Sequence, residues 1–297
     1  MKLEELLTER VNPASRDIDV RSTAEILQII NEEDQKVGAA VAAEIPAIAA
    51  AVDAIANVMR RGGRLFYIGA GTSGRLGVLD AVECPPTFHV SPELIQGVIA
   101  GGEKAVARAT EASEDDPAAG ERDLVAREFS ARDALIGIAA SGRTPYVLGA
   151  VAAAREWKAL TIGISCTHDS DLARAVDIAI TPLVGPEVIA GSTRMKAGTA
   201  TKMVLNMIST AVMIRLGYVY GNLMVNVEPR NSKLEDRAKR IISESAGVSY
   251  QRAGELLKEA GGGVKVAIVM ARLGTDRAGA ESKLAAVGGR ISEALKE

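Results

Sequence analysis

One strand-to-helix turn followed by a glutamate is the part of this sequence best suited to chemistry. The apolar run Leu65–Ile68 leads into the turn Gly69-Ala-Gly-Thr-Ser-Gly-Arg-Leu-Gly77, and a short predicted helix then ends at Glu83, beside Cys84 and two prolines. Backbone N–H groups and hydroxyls at the start of a helix bind anions. The segment therefore predicts an anion site with a carboxyl group nearby, an arrangement that suits acid–base chemistry on a phosphorylated substrate.

The glycine spacing of this turn, at positions 69, 71, 74 and 77, is similar to that of a dinucleotide-binding turn. However, Thr72 and Ser73 lie at its tip, and no acidic residue closes a following strand where a ribose would be held. The two hydroxyls favour a single phosphate or sugar hydroxyls. From the residues alone, a tight turn without any ligand is an equal alternative.

Two later turns also combine hydroxyls with cations. The turn Ser141-Gly-Arg143-Thr144-Pro145 follows an apolar run, and Pro145 suits the first position of a helix. It predicts a second oxygen-rich anion site. In Gly191-Ser192-Thr-Arg194-Met-Lys196, the cations lie near a helix start, where the helix dipole disfavours them unless an anion is present. This third turn indicates an anion, a partner carboxylate or two solvated charges.

A second source of carboxylates is the acidic segment Glu111-Ala-Ser-Glu114-Asp-Asp116-Pro117. The preceding pattern predicts a helix over Lys104–Ala112, so these acids would lie at a helix C-terminus, where negative charge is unfavourable. From the pattern alone, a solvated acidic surface is the preferred interpretation of the segment.

Short apolar runs that alternate with helical patterns predict a parallel sheet covered by helices on both faces. Ligands on such sheets bind beyond the carboxyl ends of the strands, so the three turns are expected at one edge. The predicted strands are Leu65–Ile68, Leu94–Ala100, Ala134–Ala140, Leu160–Ser165 and Ile178–Val184, and the helical patterns between them are Gly74–Val82, Lys104–Ala112 and Pro145–Trp157.

The chain outside this region is helical in pattern. A capping box at Ser22–Glu25 opens one helix, a long Ala-rich pattern follows over Val37–Met59, and Ser249 and Asp276 suit helix N-caps near the C-terminus. The predicted organisation is an N-terminal arm with helices over residues 1–53, an α/β domain over 54–217, and a linker with a small helical bundle over 218–297.

Composition excludes several function classes. The 297 residues carry a net charge of -3, which provides no basic surface for nucleic acid. Aromatic residues make up 3%, so a sugar would be held through hydroxyl and phosphate contacts. The two cysteines and two histidines are too scattered to predict a metal site. The number and spacing of the cysteines, Cys84 and Cys166, indicate a reducing compartment. With no secretory or membrane-spanning pattern, the expected location is the cytoplasm.

Four sequence segments follow one another along the chain: the turn at 69–77, Glu-Cys-Pro-Pro-Thr-Phe at 83–88, Gly-Ile-Ala-Ala-Ser-Gly-Arg-Thr-Pro-Tyr at 137–146, and Gly-Ser-Thr-Arg-Met-Lys-Ala-Gly-Thr at 191–199. Together, these four segments resemble the N-acetylmuramic acid 6-phosphate etherase family. The resemblance extends through Leu205-Asn206-Met207 and Tyr220–Val225 to the C-terminus. It implies a sugar isomerase (SIS) fold, a three-layer α/β/α sandwich with a five-stranded parallel sheet, N-terminal helices and a C-terminal UBA-like helical bundle. It also implies a homodimer with no metal or organic cofactor.

The activity that this resemblance implies is cleavage of the D-lactyl ether of N-acetylmuramic acid 6-phosphate, in cell-wall sugar recycling. Mapped onto this chain, Glu83 is the proton donor and Glu114 the base, which reverses the interpretation of the acidic segment. Arg194 and Lys196 become candidates for the lactyl carboxylate or for a structural ion pair. The residues expected to hold the phosphate and the sugar hydroxyls are Thr72, Ser73, Ser141 and Thr144, with Arg143 and Ser192 completing the substrate-binding set.

Two other functions stay open at this point. The regulatory protein of glucokinase resembles the same family, so a non-catalytic sugar-phosphate sensor is one alternative. That class usually has a longer chain with a second SIS domain, and here both glutamates are present. An aldose–ketose isomerase on the same fold is the other alternative, and it needs no acid directed at a C3 leaving group. Glu83 is therefore the residue that discriminates an etherase from an isomerase.

Overall fold

A computed structural model describes residues 7–108, 114–229 and 231–296 of the chain. Its central sheet has five parallel strands in the order β2-β1-β3-β4-β5, and all five predicted runs are strands. β1 and β3 pair in register, with Gly69 opposite Ile138, so the turns that follow these two strands begin side by side. The strands are β1 (Leu65–Gly69), β2 (Ile95–Ile99), β3 (Ala134–Ile138), β4 (Leu160–Ile164) and β5 (Ile178–Ile180).

Helices cover both faces of the sheet, as neighbouring residues of β3 show. On one face, Ile138 lies against Gly77 of α4 (Gly71–Phe88). On the other, Gly137 lies against α7 (Pro145–Glu156) and α8 (Asp171–Ala175). Since successive side chains of a strand point to opposite faces, these contacts place helices on both sides. The predicted three-layer α/β/α arrangement is therefore confirmed.

The N-terminal helices differ from prediction at one break. The capping box at Ser22 forms and begins α1 (Thr23–Asp34). The predicted helix Val37–Met59 is two helices, α2 (Lys36–Ala43) and α3 (Ile45–Arg60), separated at Glu44. The physical reason is Pro46, which fits the first turn of a helix but not its interior. α3 packs against β4 and β5.

Helix α4 is longer than predicted, and the correction bears on Glu83. The sequence indicated a helix over Gly74–Val82, ending at Glu83 before two prolines. The structure continues the helix through Pro85 and Pro86 to Phe88. A proline ring holds φ near the helical value, so the cost is the missing N–H groups, and the helix persists here in spite of that cost. Glu83 thus lies inside a helix.

The acidic segment also differs from prediction. The helix expected over Lys104–Ala112 is the short α5 (Glu103–Ala107), while residues 109–113, including Glu111, lie outside the described residues. Asp116 accepts hydrogen bonds from the N–H groups of Ala118 and Ala119 and begins α6 (Pro117–Val125), a helix that was not predicted from the sequence. The acid at 116 therefore lies at a helix start, where negative charge is favourable.

The described residues form two compact units. One consists of the chain up to Glu83 together with Pro92–Ser209, and the other of Cys84–Ser91 and the chain from Thr210 onward. The predicted division at residues 53 and 217 stays a prediction. By length and composition, α9 (Lys196–Arg215) is long and apolar enough to cross a membrane, and 56% of its most apolar window is buried inside the protein.

The second unit contains a helical bundle. Ser249 and Asp276 are N-caps as predicted, and Gly247 and Gly274 end helices in the left-handed conformation. Ile242, Ile268 and neighbouring apolar side chains form its core. The elements are a hairpin of β6 (Val219–Tyr220) and β7 (Leu223–Met224), followed by α10 (Ser232–Ala246), α11 (Tyr250–Glu259), α12 (Val264–Leu273), α13 (Arg277–Ala286) and α14 (Ile291–Ala294).

Candidate active site

The first turn is shaped by close backbone approach. A Cβ atom on Gly74 would lie 2.6 Å from the carbonyl oxygen of Gly69, and Gly71 has a φ of +53°, so this turn requires glycine. Thr72 and Ser73 occupy the first turn of α4 and are half-buried. Their hydroxyls and the N–H groups of this helix start can therefore bind an oxyanion at the carboxyl edge of the sheet.

The second turn, at residues 141–145, also requires a glycine. Gly142 has a φ of +67°, and a Cβ atom there would lie 2.2 Å from the Cβ of Ser170. The Ser141 hydroxyl accepts a hydrogen bond from the backbone N–H of Arg143 (3.3 Å). The Arg143 guanidinium lies 3.5 Å from a carboxylate oxygen of Asp171 and is partly exposed. The turn thus presents a hydroxyl and a cation close to the first turn.

Glu114 is held directly by the second turn. Oγ1 of Thr144 donates a hydrogen bond to the Glu114 carboxylate (3.2 Å), and the backbone N–H of Tyr146 donates to the Glu114 carbonyl oxygen (3.1 Å). Thr144 occupies the N-cap position of α7 but makes no capping bond with its side chain, so its hydroxyl is directed to Glu114 instead. Thr144 is 8% exposed. The structure therefore brings Glu114 and Thr144 into contact, although they are distant in sequence.

The third turn lies beside the first. A Cβ atom on Gly198 would lie 3.6 Å from a side-chain carbon of Thr72, so the start of α9 approaches the start of α4. Ser192 is half-buried and Arg194 is exposed. The carboxylate of Glu187 accepts the backbone N–H groups of Lys196 and Ala197 (3.0 and 2.9 Å) and so caps α9. Burial raises the pKa of Glu187, and these two hydrogen bonds only partly offset that rise.

The Lys196 side chain points into the protein. It is 1% exposed, and its Nζ lies 2.5 Å from a carboxylate oxygen of Glu33 on α1. Burial raises the pKa of Glu33, but hydrogen bonds from Lys196, Lys36 and Asn12 outweigh that effect and lower it to about 2. Of the two roles that the sequence left open for Lys196, the geometry supports the structural ion pair rather than contact with a substrate carboxylate.

Glu33→Gln is expected to lower the free energy of unfolding by roughly 3–5 kcal/mol, because it leaves the buried Lys196 ammonium without its charged partner. Folding lowers the pKa of Glu33, so its contribution is complete above about pH 4.5 and is lost as the pH falls towards 2. Urea unfolding between pH 3.5 and 7 measures this difference. The exposed pair of Arg277 and Glu281 provides the control, since Glu281→Gln is expected to change nothing measurable. Equal unfolding midpoints for Glu33→Gln and wild type would contradict the assignment.

Glu83 lies apart from the three turns. It is ten residues beyond Ser73 on α4, which corresponds to about 15 Å along the helix axis. Its side chain is exposed and lines a cavity of about 230 Å³ between α4 and α9. The other lining residues are Leu76, Leu79, Asp80, Lys202, Leu205 and Asn206.

Asp80 is the buried acid of this cavity. It is 9% exposed and accepts hydrogen bonds from the hydroxyls of Tyr67 (2.7 Å) and Ser209 (3.1 Å). Burial raises its pKa, and these two hydroxyls moderate the rise. Three lining residues of the cavity were not predicted from the sequence: Asp80, Lys202 and Asn206. Helical spacing was the available signal, since Asp80 and Glu83 lie three apart and Lys202 and Asn206 four apart.

The cysteines and histidines form no site within the described ranges, where no group of three or more His, Cys, Asp or Glu side chains is placed to hold a metal ion. Cys84 and Cys166 are both buried, and neither is part of a disulfide. Burial, together with the nearby Glu187, raises the pKa of Cys166 to about 12, which disfavours its thiolate.

Comparisons with known proteins agree with this architecture. Two family models match the chain: the glucokinase regulatory protein N-terminal SIS domain over residues 47–155, and the SIS domain over residues 110–211. A crystal structure from Bacteroides fragilis, described as a phosphosugar isomerase involved in capsule formation, has a TM-score of 0.50 at 22% identity. It covers 66% of this chain and 94% of that one. This likeness shows the fold alone.

Sequence relatives identify the family. A protein of Caldanaerobacter subterraneus named N-acetylmuramic acid 6-phosphate etherase is 53% identical over 100% of this chain and 97% of its own length. The chain belongs to this etherase family. Relatives of the same name from Salmonella agona (51% identity, 100% of both chains) and Aeromonas hydrophila (53%, 98% of both) agree. Membership in the etherase family confirms the resemblance drawn from the four sequence segments and the SIS fold that it implied.

Proposed function

We propose that this protein cleaves the D-lactyl ether of N-acetylmuramic acid 6-phosphate with water, giving N-acetylglucosamine 6-phosphate and D-lactate. It would be a carbon–oxygen lyase of cell-wall sugar recycling. The observation that carries the proposal is identity of about half of all residues, over the full chain, to relatives named for this activity. The contact between Glu114 and Thr144 supports it, because it holds a carboxylate beside a turn suited to oxyanions.

The proposed reaction is an elimination followed by a hydration. In the ring-opened sugar, the C2 hydrogen lies next to an aldehyde, so Glu114 removes it as a proton. Glu83 donates a proton to the ether oxygen on C3 as the C3–O bond breaks and a C2–C3 double bond forms. Lactate leaves with its own oxygen. Water then adds at C3, and C2 regains a proton. Each of the two carboxyl groups contributes about 10²–10⁴-fold in rate.

The substrate-binding assignments follow from the turns. Thr72, Ser73, Ser141 and Thr144 present hydroxyls at the carboxyl edge of the sheet, where ligands of parallel sheets bind. They are proposed to hold the phosphate and the sugar hydroxyls, while the exposed Arg194 provides a cation next to the same edge. Arg143 and Ser192 belong to these turns and complete the set.

The proposal includes that the protein is a cytoplasmic homodimer and that it needs no metal or organic cofactor. The net charge of -3 disfavours nucleic acid as a partner, and neither nucleic acid nor a membrane has a role in the proposal. Exposed apolar side chains flank Glu83 and support an interface at this surface: Leu79 and Val82 on α4 are 46% and 57% exposed.

A sugar-phosphate-binding regulator is the second candidate, because the glucokinase regulatory protein model matches residues 47–155. Such a protein would bind the sugar without turnover. The match to etherases favours catalysis, since it spans the whole chain and so covers the segments that contain both glutamates. The isomerase alternative rests on a likeness in fold alone.

The test is incubation of the purified protein with N-acetylmuramic acid 6-phosphate in oxygen-18 water, followed by mass spectrometry. The expected products are unlabelled D-lactate and N-acetylglucosamine 6-phosphate with the label at C3. Label in the lactate would mean direct displacement and would contradict the proposed role of Glu114. Sugar binding without lactate release would favour the regulator.

A further inference from the structure

The cavity beside Glu83 contains a cation that the mechanism above does not use. We propose that Lys202, assisted by Asn206, binds the carboxylate of the substrate's lactyl group, so that this cavity is the specificity site for the leaving group. The inference rests on the proposed etherase function and adds to it a site for the part of the substrate that distinguishes it from other amino-sugar phosphates.

The covalent structure of the substrate limits where its lactyl carboxylate can bind. The carboxyl carbon of the lactyl group is two covalent bonds from the ether oxygen that Glu83 is proposed to protonate. Any residue that binds this carboxylate must therefore lie within a few ångströms of the Glu83 carboxyl group. Lys202 and Asn206 meet this requirement, because they line the same cavity of about 230 Å³ as Glu83.

The chemistry of the cavity lining fits the lactyl group. Lys202 carries an exposed ammonium group, and Asn206, one helical turn further along α9, carries an exposed amide that can donate hydrogen bonds. Leu76, Leu79 and Leu205 form the apolar part of the lining and suit the methyl group of lactate. The cavity therefore offers the lactyl group a cation, a donor and an apolar wall.

The ammonium group of Lys202 also acts on the buried acid of this cavity. Lys202 is close enough to the buried Asp80 to lower its pKa, while burial raises that pKa by more.

The cations of the candidate turns are less suitable for this task. Lys196 is 1% exposed, and its ammonium is bound to Glu33. Arg143 lies beside Asp171 in the turn after β3. Arg194 is exposed but precedes the first turn of α9, whereas Lys202 and Asn206 lie further along that helix, opposite Glu83.

The test compares two ligands that differ only in the carboxylate. They are N-acetylmuramic acid 6-phosphate and 3-O-ethyl-N-acetylglucosamine 6-phosphate. Their dissociation constants are measured by calorimetry in a Glu114→Gln background, which is expected to slow turnover about 10³-fold. Lys202→Met is expected to weaken binding of the first ligand about 30-fold and of the second less than threefold, since a charge-assisted hydrogen bond is lost only for the first.

Controls separate this role from a structural one. Lys202→Arg keeps the charge and is expected to restore most of the affinity, and Asn206→Leu is expected to weaken only the carboxylate ligand. Lys258→Met removes an exposed lysine of α11 and is expected to change neither constant. Equal losses for the two ligands, or no loss for either, would overturn the proposal for Lys202. Wild-type protein that releases no lactate would instead overturn the proposed function.

Discussion

Glu114→Gln is expected to reduce lactate release by a factor on the order of 10³ and to abolish exchange of the substrate C2 hydrogen in deuterium oxide. The reason is that the amide of glutamine cannot accept the C2 proton as a carboxylate does, and general-base catalysis contributes about 10²–10⁴-fold. The amide keeps the length of the side chain and an oxygen for the Thr144 hydroxyl, so the local structure is expected to persist. NMR of the C2 position and a lactate assay measure the two effects on the same sample.

Glu83→Gln is the matched variant for this experiment. Without a proton donor for the ether oxygen, lactate release is expected to fall by a similar factor, whereas the Glu114 carboxylate still exchanges the C2 hydrogen. The pair of variants therefore separates proton removal from departure of the leaving group. Loss of exchange in Glu83→Gln and its retention in Glu114→Gln would reverse the two assigned roles.

The sheet and its turns could be predicted from the sequence because their signals are local. Each strand of a buried parallel sheet is a short, continuous apolar run, and the β1 side chains from Leu65 to Ile68 are fully buried. The turn after β3 requires a glycine at 142 and admits a proline at 145 for reasons of backbone geometry alone. Such constraints can be recognised in a few consecutive residues.

Helix boundaries were predicted less well than strands, because prolines and acidic residues can occur both where a helix ends and where a helix begins or continues. Pro85 and Pro86 indicated a helix end, yet α4 continues through them. Conversely, the acids before Pro117 were interpreted as a helix C-terminus, although Asp116 followed by proline is also the signature of a helix start. The Asp116-Pro117 pair was therefore the local signal for α6.

Contacts between distant residues could not be derived from local patterns. Lys196 and Glu33 are 163 positions apart, and nothing near either residue indicates the other. The same holds for Glu114 and Thr144, whose connection was suggested only by the resemblance to a family. The cavity around Glu83 likewise depends on the packing of α4 against α9. These contacts arise from tertiary structure, which fixes the chemistry of the site.

Mixing two inactive variants, Glu83→Gln and Glu114→Gln, is expected to restore activity. The reason is the position of Glu83, about 15 Å along α4 from the Ser73 turn and on an exposed surface with apolar neighbours. The same substrate must reach the phosphate turns and a glutamate that lies far from them on the same chain. In the proposed homodimer, a twofold axis can bring Glu83 of one copy to the turns and Glu114 of the other.

The fraction of wild-type activity that mixing should restore follows from the composition of the dimers. Random exchange of equal amounts makes half of the dimers mixed, and each mixed dimer has one of its two sites intact, so roughly a quarter of wild-type activity returns. Differently tagged copies allow the mixed dimers to be purified and their number checked, and mixing two Glu114→Gln preparations is the control that should stay inactive.

If purified mixed dimers are inactive, both glutamates act within one chain, and the substrate must then extend from the turns to the cavity beside Glu83. Recovery would show that each site takes its base from one copy and its acid from the other, in which case dissociation of the dimer abolishes catalysis without unfolding either chain.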